Sequence, residues 1–360
     1  MNKTVLKKRM KSFLRKHLFK DQPGDDFDGS HPFDLDHTPI GYLHSFGKSN
    51  PDKTFYVIWR DCLGSGFFSN FTQALSHILR AEELGMIPVV DFQHFRTLYN
   101  EDEPVNGSYN PWEYYFHQVS PYTLEEVYRS RRVYFCSGTY PPGYGFATNA
   151  EYRDFVDSHI RMQDNVIEKI DRYRNEFSCR RVLGIHFRGK EINTTPGHSF
   201  GPLPRQIFYH TDRMLEECGL DKIFLVTEEE RYVDLMKRRY GDRLFYTDAF
   251  RSAKVNSYNL NPRPLHRYLL GLEILVDTEL LALSTAILCS KTGVAAHAVR
   301  SARHLERVCC IDNGINFRNY LPAHFAYRIR KLLPSGFGGL RNRIIEYDRD
   351  DLKRIFYQAG

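Results

Sequence analysis

Three short clusters carry the most usable chemistry in this chain. The first is His186-Phe187-Arg188-Gly189-Lys190-Glu191. Arginine offers a planar donor fork that fits a phosphate bidentately, and Lys190 adds a second cation. Alternation along a strand points His186 and Arg188 to one side. The second cluster is Val226-Thr227-Glu228-Glu229-Glu230. Acidic side chains there can take ribose hydroxyls, or serve as the first-turn carboxylates that a following helix favours. The third runs from Asp277 to Ser290-Lys291-Thr292-Gly293. Small hydroxyl residues ahead of a helix make an anion site from backbone N–H and hydroxyl donors. Asp277, on an otherwise apolar helix face, needs a partner if it is buried. The N1–H and N2–H donors of a guanine edge would suit it.

The hydrophobic pattern puts each cluster near the end of an element. Strands are predicted over 55–59, 87–90, 182–187, 223–226, 244–246 and 286–289, and helices over 67–84, 149–176, 206–218, 231–240 and 265–283, with another from about 293. Gly85 suits the C-cap of the first helix. Such alternation defines an α/β chain of two Rossmann-like domains, in which ligands bind at the carboxyl ends of the strands. The expected divisions are a basic arm (1–20), an acidic linker (21–50), an N-terminal domain on the acceptor side (51–175), a C-terminal nucleotide-binding domain (176–335) and a tail (336–360).

Charge sharpens the picture. The 360 residues hold 50 Lys+Arg against 44 Asp+Glu, a net +6. Residues 1–20 contain eight basic side chains and no acidic one, so the other 340 residues sit near −2. A nearly neutral body excludes a broad nucleic-acid face. In the arm, Leu6, Met10, Phe13, Leu14 and Leu18 form one helical stripe. Such a helix can lie on an anionic membrane surface, or pack its stripe against the domain. No apolar run reaches the ~18 residues of a membrane span, and no signal-peptide core is visible. Seven cysteines without a CxxC pattern read as reduced thiols. The expected location is cytoplasmic, with the arm able to hold the protein at the inner face of a membrane.

Taken together, HFRGKE, FLVTEEE and Asp277 followed by LLALSTAILCSKTG resemble three motifs of the α1,6-, α1,2- and protein O-fucosyltransferase superfamily, over roughly residues 180–300. A fainter echo of that family's Gly-rich loop lies at Gly64-Ser65-Gly66 with Asn70. The resemblance implies a GT-B fold, GDP-fucose held mainly by the second domain, and inverting transfer without a metal or other cofactor. By motif position it implies Arg188 at the donor β-phosphate, His186 and Asp277 at the guanosine, and Thr292 near the phosphates. Gly189 stands where α1,6 members carry a second arginine, and Glu191 stands where they carry Asp. The catalytic base therefore does not carry over, and Glu191, Asp61 and His198 are its candidates. The acceptor is expected to be a glycan or a lipid-linked oligosaccharide.

Other readings stay open at this point. The donor can be another nucleotide sugar. Gly64-x-Gly66-x-x-Ser69, with Asp91 ending the next strand, approximates a dinucleotide-binding fingerprint of an NAD-type oxidoreductase without its third glycine. The aromatic run Trp112, Tyr114, Tyr115 and Phe116 could serve a non-catalytic carbohydrate binder. The Asp-x-Asp triplets at 26–28, 34–36 and 348–350 fall in linker or tail, away from the strand ends where a metal-dependent transferase needs them.

Overall fold

The structure, a computed structural model, describes residues 43–141, 145–178, 180–189, 193–252, 258, 260–354 and 356. The expected arm, most of the acidic linker, Lys190 and Glu191 lie outside these residues. The chain divides into two units. One comprises residues up to Gly64 together with Gln73–Tyr144, and the other Ser65–Thr72 with Gly145–Gly360. The region 145–175, expected with the first domain, thus groups with the second.

In the first unit, β1 (Leu43–His44), β2 (Phe55–Ile58), β3 (Ile87–Val90) and β4 (Val133–Phe135) form one sheet in the order β1-β4-β2-β3. Strand β2 runs parallel to β3 and β4, while β1 is antiparallel to β4. Helix α1 (Phe67–Glu83) links β2 to β3 and ends at Gly85, whose φ of +63° fits the left-handed C-cap position. The short helix α2 (Leu124–Val127) carries a capping box between Thr123 and Glu126. Trp112, Tyr114, Tyr115 and Phe116 are all buried, and Asn110 and Gln118 tie the loop around them to the Val90 backbone. The aromatic run is therefore core, not a stacking surface for a sugar.

The second unit holds the larger sheet. Its elements are α3 (Asn149–His159), α4 (Asp164–Ser178), β5 (Val182–His186), α5 (Pro204–Glu217), β6 (Lys222–Val226), α6 (Glu230–Tyr240), β7 (Leu244–Phe245), α7 (His266–Leu281), β8 (Ala286–Ser290), α8 (Gly293–Ser301), β9 (Arg307–Asp312), α9 (Tyr320–Arg330) and β10 (Arg343–Tyr347). Strand order is β10-β9-β8-β5-β6-β7, parallel from β7 to β9 with β10 antiparallel at the edge. The single helix expected over 149–176 is two, separated at residues 160–163.

The chain after 336, expected as a tail, adds β10 to the sheet and then straps back over α3 and α8. Asn149 donates to the Leu352 carbonyl and accepts from the Phe356 N–H, while Arg300 Nε donates to the Phe356 carbonyl. Cys309 and Cys310 are buried on β9, as their apolar run implies. Among the described residues no helix is long and apolar enough to cross a membrane.

Strand β5 lies at the centre of this sheet, and its burial on both faces explains the unbroken apolar run. Gly184 sits where α7 and the following turn press closest. A Cβ there would run into Leu281 Cδ1 and Ser284 Oγ. We expect Gly184→Ala to lower the unfolding free energy by about 1–3 kcal/mol, the range for overpacking a core. Denaturant titration checks this, and an unchanged midpoint would mean α7 does not press on β5 there.

Candidate active site

Strand register sets the site. His186 on β5 pairs with Val226 on β6, so two residues further on Arg188 and Glu228 leave the sheet side by side. Arg188 Nη1 meets Glu228 Oε2 at 3.0 Å, and Glu228 Oε1 accepts the Gly189 N–H at 3.2 Å. A Cβ on Gly189 would run into Glu228 Oε1, so glycine allows the turn to approach the carboxylate. Both Glu228 oxygens are thus engaged by the chain itself. Glu228 holds Arg188 in place, and it does not cap α6, whose N-cap is Glu229. Arg188 Nε is buried without a hydrogen-bond partner. A buried donor left unmade is costly, which marks it as a group awaiting an acceptor.

The intervening Phe187 points the other way. It stacks face to face on Tyr232 of α6 with ring centroids 3.7 Å apart, pinning the strand end. His186 lies on the side of Arg188 but is buried, and its Nδ1 is 3.1 Å from Thr292 Oγ1. Burial, then the Arg188 cation, lowers the His186 pKa to about 3, so the ring is neutral. Thr292 is the N-cap of α8, where its hydroxyl also accepts the Ala295 N–H. Ser290 is buried at the end of β8, and a Cβ on Gly293 would lie 3.1 Å from Phe68 Cβ. The Ser65–Thr72 segment therefore packs on the α8 N-terminus. Within that segment Asn70 donates to the Ser65 carbonyl at 3.4 Å.

The end of β7 supplies what sequence reading missed. Asp277 is buried on α7, and Thr247, two residues beyond β7, donates its hydroxyl to Asp277 Oδ1 at 2.5 Å. Arg251 anchors its Nη1 on the carbonyls of Thr247 and Ala249, while its Nε and Nη2 are buried without partners. One turn before Asp277, Glu273 receives both Nη atoms of Arg263 at 2.7 Å and the Phe250 N–H at 3.1 Å. The carboxylates at i and i+4 on one helix face thus clasp the loop after β7. That loop follows a parallel strand as Glu228 does, and this position was the available signal.

Buried Asp277 and half-buried Arg251 form an uneven pair of polar groups. Burial raises the Asp277 pKa to about 6, against the lowering influence of Thr247 and Arg251.

The remaining candidates separate. His198 is near enough to Arg188 to feel its charge, and desolvation followed by that charge lowers its pKa. Asp61 and Gly64 belong to the first unit, where the Asp61 N–H donates to the Gly138 carbonyl. Lys190 and Glu191 lie outside the described residues.

The dinucleotide fingerprint does not function as one. Asp91 is buried and saturated by Tyr128 Oη, His94 Nδ1 and the N–H groups of Gln93 and His94. Gly64 and Gly66 face open space, so nothing there requires their lack of a side chain. The Asp348–Asp350 triplet, expected in a tail, instead follows β10 directly, and Asp348 Oδ1 accepts the N–H groups of Asp350 and Asp351.

The architecture has counterparts among solved structures. The fold matches the fucosyltransferase NodZ from Bradyrhizobium with a TM-score of 0.50 at 14% identity, covering 82% of this chain and 99% of that one. A NodZ α-1,6-fucosyltransferase soaked with GDP-fucose matches at 0.49 and 14%, covering 73% and 98%. Arabidopsis thaliana FUT1, as a variant in complex with GDP, matches at 0.41 and 11%, covering 86% and 79%. At 14% identity the likeness to the first of these structures shows the fold alone, which is GT-B. No family profile matches it, and no curated protein aligns with it.

The Asp277 shift fixes a sign. The folded pKa of about 6 lies above the ordinary 3.8, so the fold favours the protonated acid. Stability attributable to this group is full below about pH 4, falls as pH rises through about 6, and stays low above that. Asp277→Asn should gain stability relative to the wild type across this interval. Urea unfolding at several pH values measures it, and a constant difference from acid to neutral pH would contradict the shift.

Proposed function

We propose that the protein is an inverting, metal-independent glycosyltransferase that transfers fucose from GDP-fucose. The observation that carries this reading is Arg188, a guanidinium held by Glu228 at the carboxyl edge of a parallel sheet with its Nε unsatisfied. It lies two residues beyond His186, which bonds the α8 N-cap. A diphosphate can accept from both the open Nε and the first N–H groups of that helix end.

The pair of Asp277 and Arg251 would select the base. Asp277 can accept from guanine N1–H and N2–H, while the open Nε and Nη2 of Arg251 can donate to O6 and N7. Uracil lacks that combination of edges. Solved relatives of the same fold carry GDP or GDP-fucose.

In the reaction the acceptor hydroxyl oxygen attacks the sugar C1 from the face opposite the nucleotide. The C1–O bond to the β-phosphate breaks, and GDP leaves with the bonding pair. Arg188 stabilises the charge that grows on the β-phosphate in the transition state. The acceptor's proton passes to a base within hydrogen-bond reach. His198, its pKa lowered beside Arg188, is the candidate that the described residues favour. The acceptor is proposed to be a glycan or lipid-linked oligosaccharide, with residues 1–20 holding the protein near a membrane.

Thermal-shift measurements with GDP, UDP, dTDP and ADP test the donor. GDP should stabilise the protein most, and that shift should shrink in Asp277→Asn and in Arg251→Ala. Stabilisation by UDP in preference to GDP would overturn the guanine assignment. For the chemistry, Arg188→Ala is expected to lower turnover of GDP-fucose by ~10²-fold or more, with wild-type activity retained in EDTA. Unaltered kinetics in that variant, or a strict need for Mn²⁺, would sink the proposed mechanism.

A further inference from the structure

Helix α9 packs the wrong way round for a helix that ends its contacts at the domain surface. Ala323 and Ala326 are its buried residues, and Ala326 with Tyr327 settles on Phe200 and Leu340. The large apolar side chains face outward. Leu321, Phe325, Ile329 and Leu332 follow 4-4-3 spacing along one stripe, and Leu321 and Leu332 are 73% and 77% exposed. Phe317 and Phe337, from the flanking loops, are exposed as well. An apolar patch of this kind on a folded domain marks a contact with something else.

Charge identifies the partner. From Asn313 to Ile345 the chain has six Lys or Arg residues and no Asp or Glu. Arg318, Arg328 and Lys331 are exposed around the apolar stripe, and among the described residues none of the three pairs with a carboxylate. A second copy would bring the same cations against these. The arm at residues 1–20, with eight cations and no acid, would do likewise. A surface that is apolar at its centre and cationic at its rim complements an anionic bilayer, where the apolar side chains enter the headgroup boundary and the cations meet lipid phosphates.

We propose that the α9 face is a peripheral docking surface for anionic membranes, built into the second unit and separate from the N-terminal arm. The inference rests on this surface alone and holds whatever the donor sugar is.

The test uses the full chain with phosphatidylcholine vesicles, with and without phosphatidylserine. Three variants are compared with the wild type by co-sedimentation. One is Leu321→Asp/Phe325→Asp/Ile329→Asp, the second Arg318→Glu/Arg328→Glu/Lys331→Glu, and the third the arm variant Lys7→Glu/Lys8→Glu/Lys11→Glu/Arg15→Glu. The wild type should bind phosphatidylserine vesicles, and both α9 variants should bind at least ~10-fold more weakly. The arm variant should keep more of the affinity than either α9 variant does. The substituted side chains are exposed, so unfolding midpoints should match the wild type. If the apolar variant nonetheless unfolds, the charge variant decides alone. Wild-type binding by the α9 variants overturns the proposal, as does a wild type that ignores phosphatidylserine. A dimer in sedimentation analysis that the α9 variants disperse would assign the face to a second copy and likewise overturn it.

Discussion

The register between β5 and β6 is the constraint from which the site follows. Because His186 stands opposite Val226, the two chains emerge level, and Arg188 meets Glu228 with no further adjustment. A shift by one residue would turn Arg188 to the other side and bring Phe187 into its place. Two contacts oppose that shift. Phe187 is stacked on Tyr232, and Gly184 is pressed by Leu281 and Ser284. The pieces that hold the register are thus apolar and local, and the charged pair is their consequence.

Three buried carboxylates show how differently one fold treats the same group. Asp91 is fully answered. Burial raises its pKa, but the charge and hydrogen bonds of His94, together with Tyr128, outweigh burial and bring it below the ordinary value. Glu273 is answered by the two-pronged fork of Arg263. Asp277 receives one hydroxyl from Thr247, and burial wins. The first two groups hold loops in place. A carboxylate kept under-satisfied beside a guanidinium with two open donors is a different arrangement, since it is costly unless something fills it. That contrast separates structural acids from a site, which burial alone would not.

The sequence made the parallel-strand framework legible because apolar runs bounded by polar turns signal buried strands directly. It also marked Arg188, Glu228, Asp277 and Thr292, since each follows a strand or lies on a strongly apolar helix. The partner of each was not visible. Pairing Glu228 with Arg188 needs the register, and assigning Thr247 to Asp277 needs the path of the loop after β7. Arg251 was missed because the stretch after the expected 244–246 strand carries no motif, although its place at a parallel-strand end was visible. The run at 112–116 was ambiguous by composition, because aromatic residues suit a sugar platform and a core equally well. Only burial tells them apart. Strand β10 was missed because its residues are largely half-exposed at a sheet edge, where alternation is weak.

Helix α9 offers a last physical lesson about what packing alone can select. Turning the same helix so that Leu321, Phe325 and Ile329 faced Phe200 would bury far more apolar area than two alanines do, and area buried is the main source of stability. The chain does the reverse. It spends the small residues on the interior and leaves the large ones in water, where they promote association. Surface charge would ordinarily be the remedy, and mixed charge the usual form of it. Here the charge has one sign over 33 residues. A single-sign rim does not merely keep copies apart. It also selects the sign of whatever the apolar stripe can approach, and that selection is what turns an exposed patch from a defect of folding into a directed contact.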